Sequence, residues 1–245
     1  MNDKFKSNFI YRWLKKVYLY FLYIFDFYKF DKINNRRFSL KWNDRYPQIY
    51  DKTLTTGFDR HYIYHPAWAA RIVAKIKPDF HVDISSTLNF CTLVSAFMPV
   101  KFYDYRPAKI ELNNLESNKA DLLNLPFDNN SIYSLSCMHT IEHVGLGRYG
   151  DPLDSNGDLK AISELKRVLA PGGNLLFVVP VGQPKIMFNA HRIYSYEMIL
   201  DYFSDLKLEE FSLIKENGDG GVIKNATREM VDSEYYACGC FWFKG

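Results

Sequence analysis

Short apolar runs alternate with amphipathic segments from about residue 60 onward. Runs of about four to eight apolar residues indicate buried strands, and apolar residues recurring every three or four positions indicate helices. The pattern predicts strands at 80–84, 100–105, around 121, 132–138, 174–180, 206–214 and 235–243, and helices at 66–76, 89–98, 157–170 and 195–203. Residues 215–234 are polar and glycine-containing, which predicts a surface loop. Strands that alternate with helices imply a doubly wound, mostly parallel sheet of about seven strands.

The first part of the chain has a different pattern, which predicts an N-terminal extension over residues 1–58 and a main domain over residues 59–245. Within residues 9–30, apolar residues at helical spacing predict one continuous apolar face, formed by Ile10, Trp13, Leu14, Val17, Phe21, Ile24, Phe25 and Tyr28. The uncharged run 17–25 is far shorter than the ~20 residues needed to cross a bilayer. Residues 31–58 predict a connecting stretch with little regular structure.

Two interpretations of this helix stay open. A basic, aromatic helix can lie in a membrane interface, which would place the protein at the inner face of the plasma membrane. Alternatively, the apolar face packs on the main domain or on a second subunit of an oligomer. Charge is compatible with an anionic surface, because residues 1–50 hold 11 Lys and Arg against 4 Asp and Glu. The remaining residues hold 20 against 24, which argues against nucleic acid as a partner.

Four cysteines give no disulfide framework for a chain of this length, so a reducing, cytoplasmic compartment is expected. Cys238-Gly-Cys240 could begin a metal site, but no second cysteine pair and no histidine near in sequence completes it. The two thiols are therefore interpreted as structural, and no metal is expected.

Acidic residues stand at the carboxyl ends of successive predicted strands: Asp83, Asp104 and Asp121. In an open α/β sheet, ligands bind at this edge. Three carboxylates in register favour a ligand that donates several hydrogen bonds, such as the hydroxyl and amino groups of a nucleoside. The alternative is that Asp83 and Asp121 cap helices and that Asp104 is merely solvated.

Several segments of the main domain resemble the class I S-adenosylmethionine-dependent methyltransferases. Leu165-Lys-Arg-Val-Leu-Ala-Pro-Gly-Gly173 before an apolar strand is similar to a signature of that superfamily, and so are residues 120–127 and Glu142-His-Val144. Residues 81–84, 139–143, 145–152 and 189–192 resemble more narrowly a bacterial branch without an assigned function, whose members commonly belong to surface-polysaccharide biosynthesis. The resemblance covers roughly residues 57–243 and implies a Rossmann-like methyltransferase domain.

The resemblance also implies roles for individual residues. Asp83 would lie at the methionine end of S-adenosylmethionine, Asp104 would hold the ribose, and Asp121 with Leu122 would face the adenine. Ser85 and His139 complete the implied cofactor site. Methyltransferases usually have glycines after the first strand, whereas residues 84–89 contain none, and Ser85 stands where the narrower branch favours glycine. This departure keeps a catalytically silent scaffold protein of glycan assembly open as the alternative function.

The expected substrate site follows the fourth strand. His143, His191 and Glu142 are the candidate catalytic residues, because methylation of a hydroxyl oxygen needs a base that takes the proton. The candidate substrate-binding residues are Arg148, Tyr149, Asp151 and Arg192. Each histidine alone could equally be structural. The expected substrate is a sugar or sugar-linked intermediate of cell-surface polysaccharide synthesis.

The sequence gives less support to two other enzyme classes. His139-Thr-Ile-Glu-His143 has the HxxEH spacing of a zinc peptidase, but the motif begins at a strand end, and the helix that such a motif requires is not predicted. A nicotinamide-dependent sugar enzyme is disfavoured, because no GxGxxG follows the first strand.

Overall fold

The computed structural model describes residues 3–218 and 220–245, and of residues 3–9 it describes the backbone. The chain divides into two compact units, one that ends at Gly57 and one that spans Phe58–Gly245. Two parts of the expectations above lie outside the described residues: the side chain of Phe9 in the N-terminal helix and residue 219 in the predicted loop.

The N-terminal unit is built around helix α1 (Asp3–Asp31). Of its eight predicted apolar-face residues, all except Ile24 are exposed, with Trp13 57% and Phe21 65% accessible. Beyond the helix the chain is irregular apart from a single 3₁₀ turn, Trp42–Asp44, whose tryptophan ring meets Phe27 edge-on at 4.9 Å. Among the described residues, no helix combines the length and apolarity that crossing a membrane would require.

The described residues of the main unit form one large sheet of eight strands in the order β3-β2-β1-β4-β5-β10-β8-β9. Their bounds are β1 His81–Ile84, β2 Val100–Asp104, β3 Leu115–Lys119, β4 Ile132–Met138, β5 Leu169–Val181, β8 Lys207–Lys215, β9 Ile223–Lys224 and β10 Ala237–Lys244. Strands β1 to β5 run parallel to one another, whereas β10 is antiparallel to both β5 and β8. The predicted fold class, a Rossmann-like, mostly parallel sheet with an N-terminal helical extension, is confirmed.

Helices cover both faces of this sheet. Alternate side chains of β5 point to opposite faces, so Phe177 and Val179 enter one apolar cluster while Leu176 and Val178 enter the other. Helices α2 (Arg60–Ile76) and α3 (Leu88–Val94) pack in the second cluster. On the first face lie α4 (Gly157–Val168), α5 (Tyr196–Tyr202) and α6 (Arg228–Asp232).

Helix α2 begins six residues earlier than the pattern predicts, and this matters for the site. Asp59 caps it by accepting a hydrogen bond from the backbone N–H of Tyr62 at 3.1 Å, so Pro66 lies inside the helix and not in its first turn. The additional turns carry His61 and His65, both buried.

Two further predictions of local structure are wrong, and one pair of strands was not predicted. The third strand ends at Lys119, before Asp121, because it follows the register of β2 from Val100 to Asp104. The predicted loop 215–234 contains β9, which pairs with β8, and α6, whose Val231 is fully buried. A two-stranded hairpin, β6 (Lys185–Met187) and β7 (His191–Ile193), forms where no strand was predicted.

Candidate functional site

A cavity of about 380 Å³ lies beyond the carboxyl ends of the parallel strands. Eight of the thirteen predicted site residues line it, namely Ser85, Asp104, Asp121, Leu122, His139, His143, Tyr149 and Asp151. The other five do not: Asp83, Glu142, Arg148, His191 and Arg192. The strand ends therefore converge as predicted, but the acids and histidines divide between the cavity wall and the layer behind it.

Asp104 and Asp121 lie on the same wall and are held in the same way. One carboxylate oxygen of Asp104 accepts the backbone N–H of Arg106 at 2.7 Å, and one of Asp121 accepts that of Leu123 at 2.9 Å. In each case this bond orients the side chain and leaves the second oxygen as an acceptor. The buried side chain of Leu122 supplies an apolar surface in the same cavity. An adenosyl group, with ribose hydroxyls, an amino group and a flat apolar ring, fits these residues.

Ser85 adopts the backbone conformation that glycine usually supplies at the end of a first strand. Its φ is +57°, in the left-handed region, and its N–H donates to the carbonyl of Tyr103 at 2.8 Å. The hydroxyl of Thr140 donates to the carbonyl of Ser85 at 2.9 Å and ties this turn to the end of β4. The turn keeps its shape without glycine, and only a small hydroxymethyl group is added at the cavity wall.

Asp83 is a correction to the predicted cofactor site. Its carboxylate is completely buried behind the cavity, where it accepts the N–H of Ser86 at 3.0 Å and the hydroxyl of Ser136. Ser136 in turn accepts from His81, which is also completely buried. Burial raises the pKa of Asp83 to about 6, against the hydrogen bonds from Ser136 and Ser86 that lower it. The acid ties β1 to β4 from within the sheet.

The loop after β4 forms the opposite wall, and Asp151 stabilises it from inside. Its carboxylate accepts the backbone N–H groups of Gly145 at 2.7 Å, Gly147 at 3.3 Å and Tyr149 at 3.2 Å. Burial works to raise the pKa of Asp151, but these backbone N–H groups outweigh it and hold the pKa below its usual value. Although Asp151 lines the cavity, its oxygens are used by the loop, so substrate contact is a secondary role at most.

Arg192 is a second correction. It was predicted to grip an anionic group of the substrate, but it is only 5% exposed and donates to the carbonyls of Val144 at 2.7 Å and of Asp154 and Ser155 at 3.3 Å. Its guanidinium also lies 3.5 Å from the carboxylate of Asp158. Backbone carbonyls away from water need hydrogen-bond donors, so Arg192 on β7 stabilises the loop by donating to them.

His143 is the predicted base that reaches the cavity. Its Nδ1–H donates to the carbonyl of Ala190 at 2.6 Å, which leaves Nε2 as the nitrogen with a free lone pair. Burial lowers the pKa of His143, so the ring is neutral at neutral pH. The exposed guanidinium of Arg148 donates to the same carbonyl at 3.0 Å. Burial also lowers the pKa of His191, whose ring lies 6.4 Å from that of His143 and does not line the cavity.

Tyr149 stands at the rim, 40% exposed, with the guanidinium carbons of Arg106 and Arg148 at 4.6 and 5.2 Å from its ring centre. Arg106 was missed from the sequence, although its position two residues after Asp104, the last residue of β2, could have indicated it. The rim thus combines an aromatic ring with two cations.

Five of the six histidines collect around the buried Glu142, and two of them, His139 and His143, also line the cavity. Glu142 is 1% exposed, and one of its oxygens accepts from Nδ1 of His139 at 2.9 Å. The ring of His139 stacks on His61 at 5.7 Å and on Tyr62 at 5.4 Å. Burial lowers the pKa of His61 to about 4.

Cys238 also belongs to this cluster, beside histidines that are distant from Cys238-Gly-Cys240 in sequence. A ring nitrogen of His61, a ring nitrogen of His139 and the sulfur of Cys238 lie within 4.8 Å of one another. These three residues are far apart along the chain, which is why the sequence did not predict the group. The four-residue spacing of His61 and His65 was a partial signal, because it would place those two rings on one helix face. The HxxEH spacing itself forms a strand end and a 3₁₀ turn, Ile141–His143, so the helix of a zinc peptidase is absent there.

Comparison with known proteins agrees with this architecture. A putative sarcosine dimethylglycine methyltransferase from Galdieria sulphuraria superposes with a TM-score of 0.53 at 11% identity, over 73% of this chain and 83% of that one. A putative methyltransferase in complex with the Haloferax volcanii Trm112 activator gives 0.52 at 18% identity, over 76% and 90%. A putative methyltransferase from Bacillus halodurans gives 0.51 at 14% identity, over 73% and 97%. These likenesses show the fold, which is that of the class I methyltransferases.

The sequence comparisons add little to this. A family model described as "Caenorhabditis protein of unknown function, DUF268" matches residues 110–208, which is less than half of the chain. No curated protein matches.

Proposed function

We propose that the protein is an S-adenosylmethionine-dependent methyltransferase. The observation that carries the proposal is that Asp104 and Asp121, each with one oxygen left to accept, line the same cavity as the left-handed turn at Ser85. Bound there, S-adenosylmethionine supplies an electrophilic methyl group. In this proposal Asp104 accepts from the ribose hydroxyls, and Asp121 accepts from the adenine amino group while Leu122 packs on the ring.

The acceptor is proposed to be a hydroxyl group, with His143 as the base. Its neutral ring has Nδ1 fixed by Ala190, and Nε2 is 3.9 Å from the buried carboxylate of Glu142. Nε2 can therefore take the hydroxyl proton as the methyl group transfers, and Glu142 stabilises the imidazolium that results. Replacing His143 by Gln should lower kcat about 10²- to 10⁴-fold and leave cofactor affinity unchanged. An equal loss of cofactor affinity would contradict this role.

A sugar or sugar-linked intermediate of cell-surface polysaccharide synthesis is proposed as the substrate. The aromatic ring of Tyr149 at the rim suits the apolar face of a sugar, and Arg106 and Arg148 suit an anionic group linked to it. A cytoplasmic protein that meets the inner face of the plasma membrane through residues 9–30 would be close to lipid-linked intermediates. The exposed aromatic face of α1 supports this location.

Cofactor binding is the decisive test against the alternative, a catalytically silent scaffold of glycan assembly. We expect saturable heat on titration of the purified protein with S-adenosylmethionine. Asp104→Ala should weaken binding about 10- to 100-fold, because it removes a charged hydrogen-bond acceptor. The matched control is Asp79→Ala, since Asp79 is exposed and lies outside the cavity. No heat at millimolar cofactor would favour the scaffold.

A further inference from the structure

The strongest feature outside the proposed methyl-transfer cavity is the buried group formed by His61, His139 and Cys238. Their ligand atoms, two ring nitrogens and one sulfur, lie within 4.8 Å of one another. The three residues are 4%, 8% and 0% exposed. Ligand atoms that share a tetrahedral metal ion must lie about this close, since metal–nitrogen and metal–sulfur bonds measure roughly 2.0–2.3 Å.

Two nitrogen atoms in this group are buried without a hydrogen-bond partner among the residues that the structure describes. Within the described part of the chain these atoms are Nε2 of His139 and Nε2 of His61. Nε2 of His61 lies 3.3 Å from a carboxylate oxygen of Glu216, without hydrogen-bond geometry. Leaving a buried polar atom unsatisfied costs about 1–3 kcal/mol. Two such atoms beside a buried thiol need an explanation, and a bound cation supplies one.

The surroundings orient His139 as metal sites orient their histidines. Its Nδ1–H donates to Glu142 at 2.9 Å, which fixes the tautomer and leaves the lone pair on Nε2. A carboxylate that accepts the remote N–H of a ligand histidine is the usual second partner in zinc sites. Tyr236 stacks on His61 at 5.1 Å and Tyr62 on His139 at 5.4 Å, so both rings are held in place before any ion arrives.

The group lies beside two cavities, one lined by His61 and the other by His139. His61 lines a second cavity of about 260 Å³ together with Asp59, Glu216 and Tyr236, which offers access for a cation. His139 lines the main cavity. An ion held here would therefore be bound by one residue from each cavity.

We propose that His61, His139 and Cys238 bind one zinc ion. Two imidazoles and one thiolate are a donor set that suits Zn²⁺, and three protein ligands leave the fourth tetrahedral position free for water or an oxygen ligand. On binding, the Cys238 thiol releases its proton to solvent and the thiolate coordinates the ion. This site does not depend on the proposed methyl transfer.

The test uses the full-length protein, stripped with a chelator and dialysed against Zn²⁺. We expect about one zinc per chain after desalting, measured by elemental analysis. Loading with Co²⁺ instead should produce a thiolate-to-cobalt charge-transfer band. Failure of the wild-type protein to retain Zn²⁺ and to show this band would overturn the proposal.

Variants locate the site. Cys238→Ser should abolish the cobalt band, whereas Cys240→Ser should keep it, because Cys240 is equally buried but outside the group, its sulfur 3.8 Å from that of Cys238. Glu142→Gln should lower the affinity for Zn²⁺ about 10- to 100-fold, because it removes the carboxylate that accepts from His139. A band that survives in Cys238→Ser contradicts the assignment.

Histidine variants keep the proposal testable if Cys238→Ser does not fold. His61→Asn and His139→Asn, with circular dichroism to check folding, should each lose zinc. Full zinc content in both folded variants would overturn the site. Since the readouts are metal content and a cobalt spectrum, failure here is distinct from failure of cofactor binding.

Discussion

Ser85 bears on the proposed cofactor site through its backbone more than through its side chain. The left-handed backbone conformation costs a residue that has a Cβ about 1–2 kcal/mol, and glycine avoids this cost. Ser85→Gly should therefore raise the free energy of unfolding by up to about 1 kcal/mol and leave S-adenosylmethionine affinity equal or higher. Urea unfolding and calorimetry measure the two effects.

Ser86 provides the control for that substitution. Its hydroxyl accepts the buried N–H of Met138 at 3.0 Å, and its φ is not in the left-handed region. Ser86→Gly should lower the free energy of unfolding by about 1–3 kcal/mol, because a buried N–H loses its acceptor. If Ser85→Gly destabilised the protein as much as Ser86→Gly, the serine hydroxyl and not the backbone would decide the turn.

Asp83 makes stability depend on pH. Its pKa is about 6 in the folded protein, whereas an unfolded chain gives about 3.9, so the folded state holds the proton more tightly. The contribution of Asp83 to the free energy of unfolding is therefore greatest below about pH 4 and is lost as pH rises through about 6, by up to roughly 3 kcal/mol.

Asp83→Asn removes this titration while keeping a side chain that can accept from Ser86. The difference between wild-type and variant unfolding free energies, measured in urea from about pH 4 to pH 7, should change in favour of the variant as pH rises. A difference that stays constant over this range would show that the pKa of Asp83 is not raised in the folded state.

At the scale of elements, the loop after β4 depends on a close backbone approach. Gly145 has φ +80°, and a Cβ there would overlap the carbonyl oxygen of Asp154. Gly150 has a similar φ of +86° but open space around it. Gly145→Ala should therefore cost more stability than Gly150→Ala, with the shared backbone strain of about 1–3 kcal/mol cancelling in the comparison.

The same pair of variants should separate acceptor binding from folding. Gly145→Ala displaces the wall that carries His143 and Tyr149, so acceptor KM should rise in it while Gly150→Ala remains close to wild type. Urea unfolding and initial-rate kinetics give both quantities. Equal effects of the two substitutions would mean that the contact with Asp154 does not set the loop.

At the scale of the whole molecule, the N-terminal unit presents an exposed aromatic helix. We expect the protein to sediment with vesicles that contain anionic lipid, and the combined substitution of Trp13, Phe21 and Phe25 by alanine to abolish this. Tyr46→Ala is the control, because that ring is 83% exposed in the same unit but outside α1. Sedimentation without vesicles, as an oligomer, would support the protein-docking interpretation instead.

The sequence by itself determined the fold class, because a strand or helix that buries one face must carry apolar residues at a fixed period. It also determined that Asp104 and Asp121 share an edge, since carboxyl ends of parallel strands meet there. These are consequences of local periodicity and chain direction, which neighbouring residues encode.

Only the tertiary structure decided what each polar side chain does. Asp83 and Arg192 lie close in sequence to cavity residues, yet neither lines the cavity. Asp83 accepts from the hydroxyl of Ser136, and Arg192 donates to the backbone carbonyl of Val144. His61 joins His139 and Cys238 because α2 begins after Asp59 and continues through Pro66, and because β10 lies between β5 and β8. Hydrogen-bond competition and contacts between distant segments depend on the packed chain, and no local pattern records them.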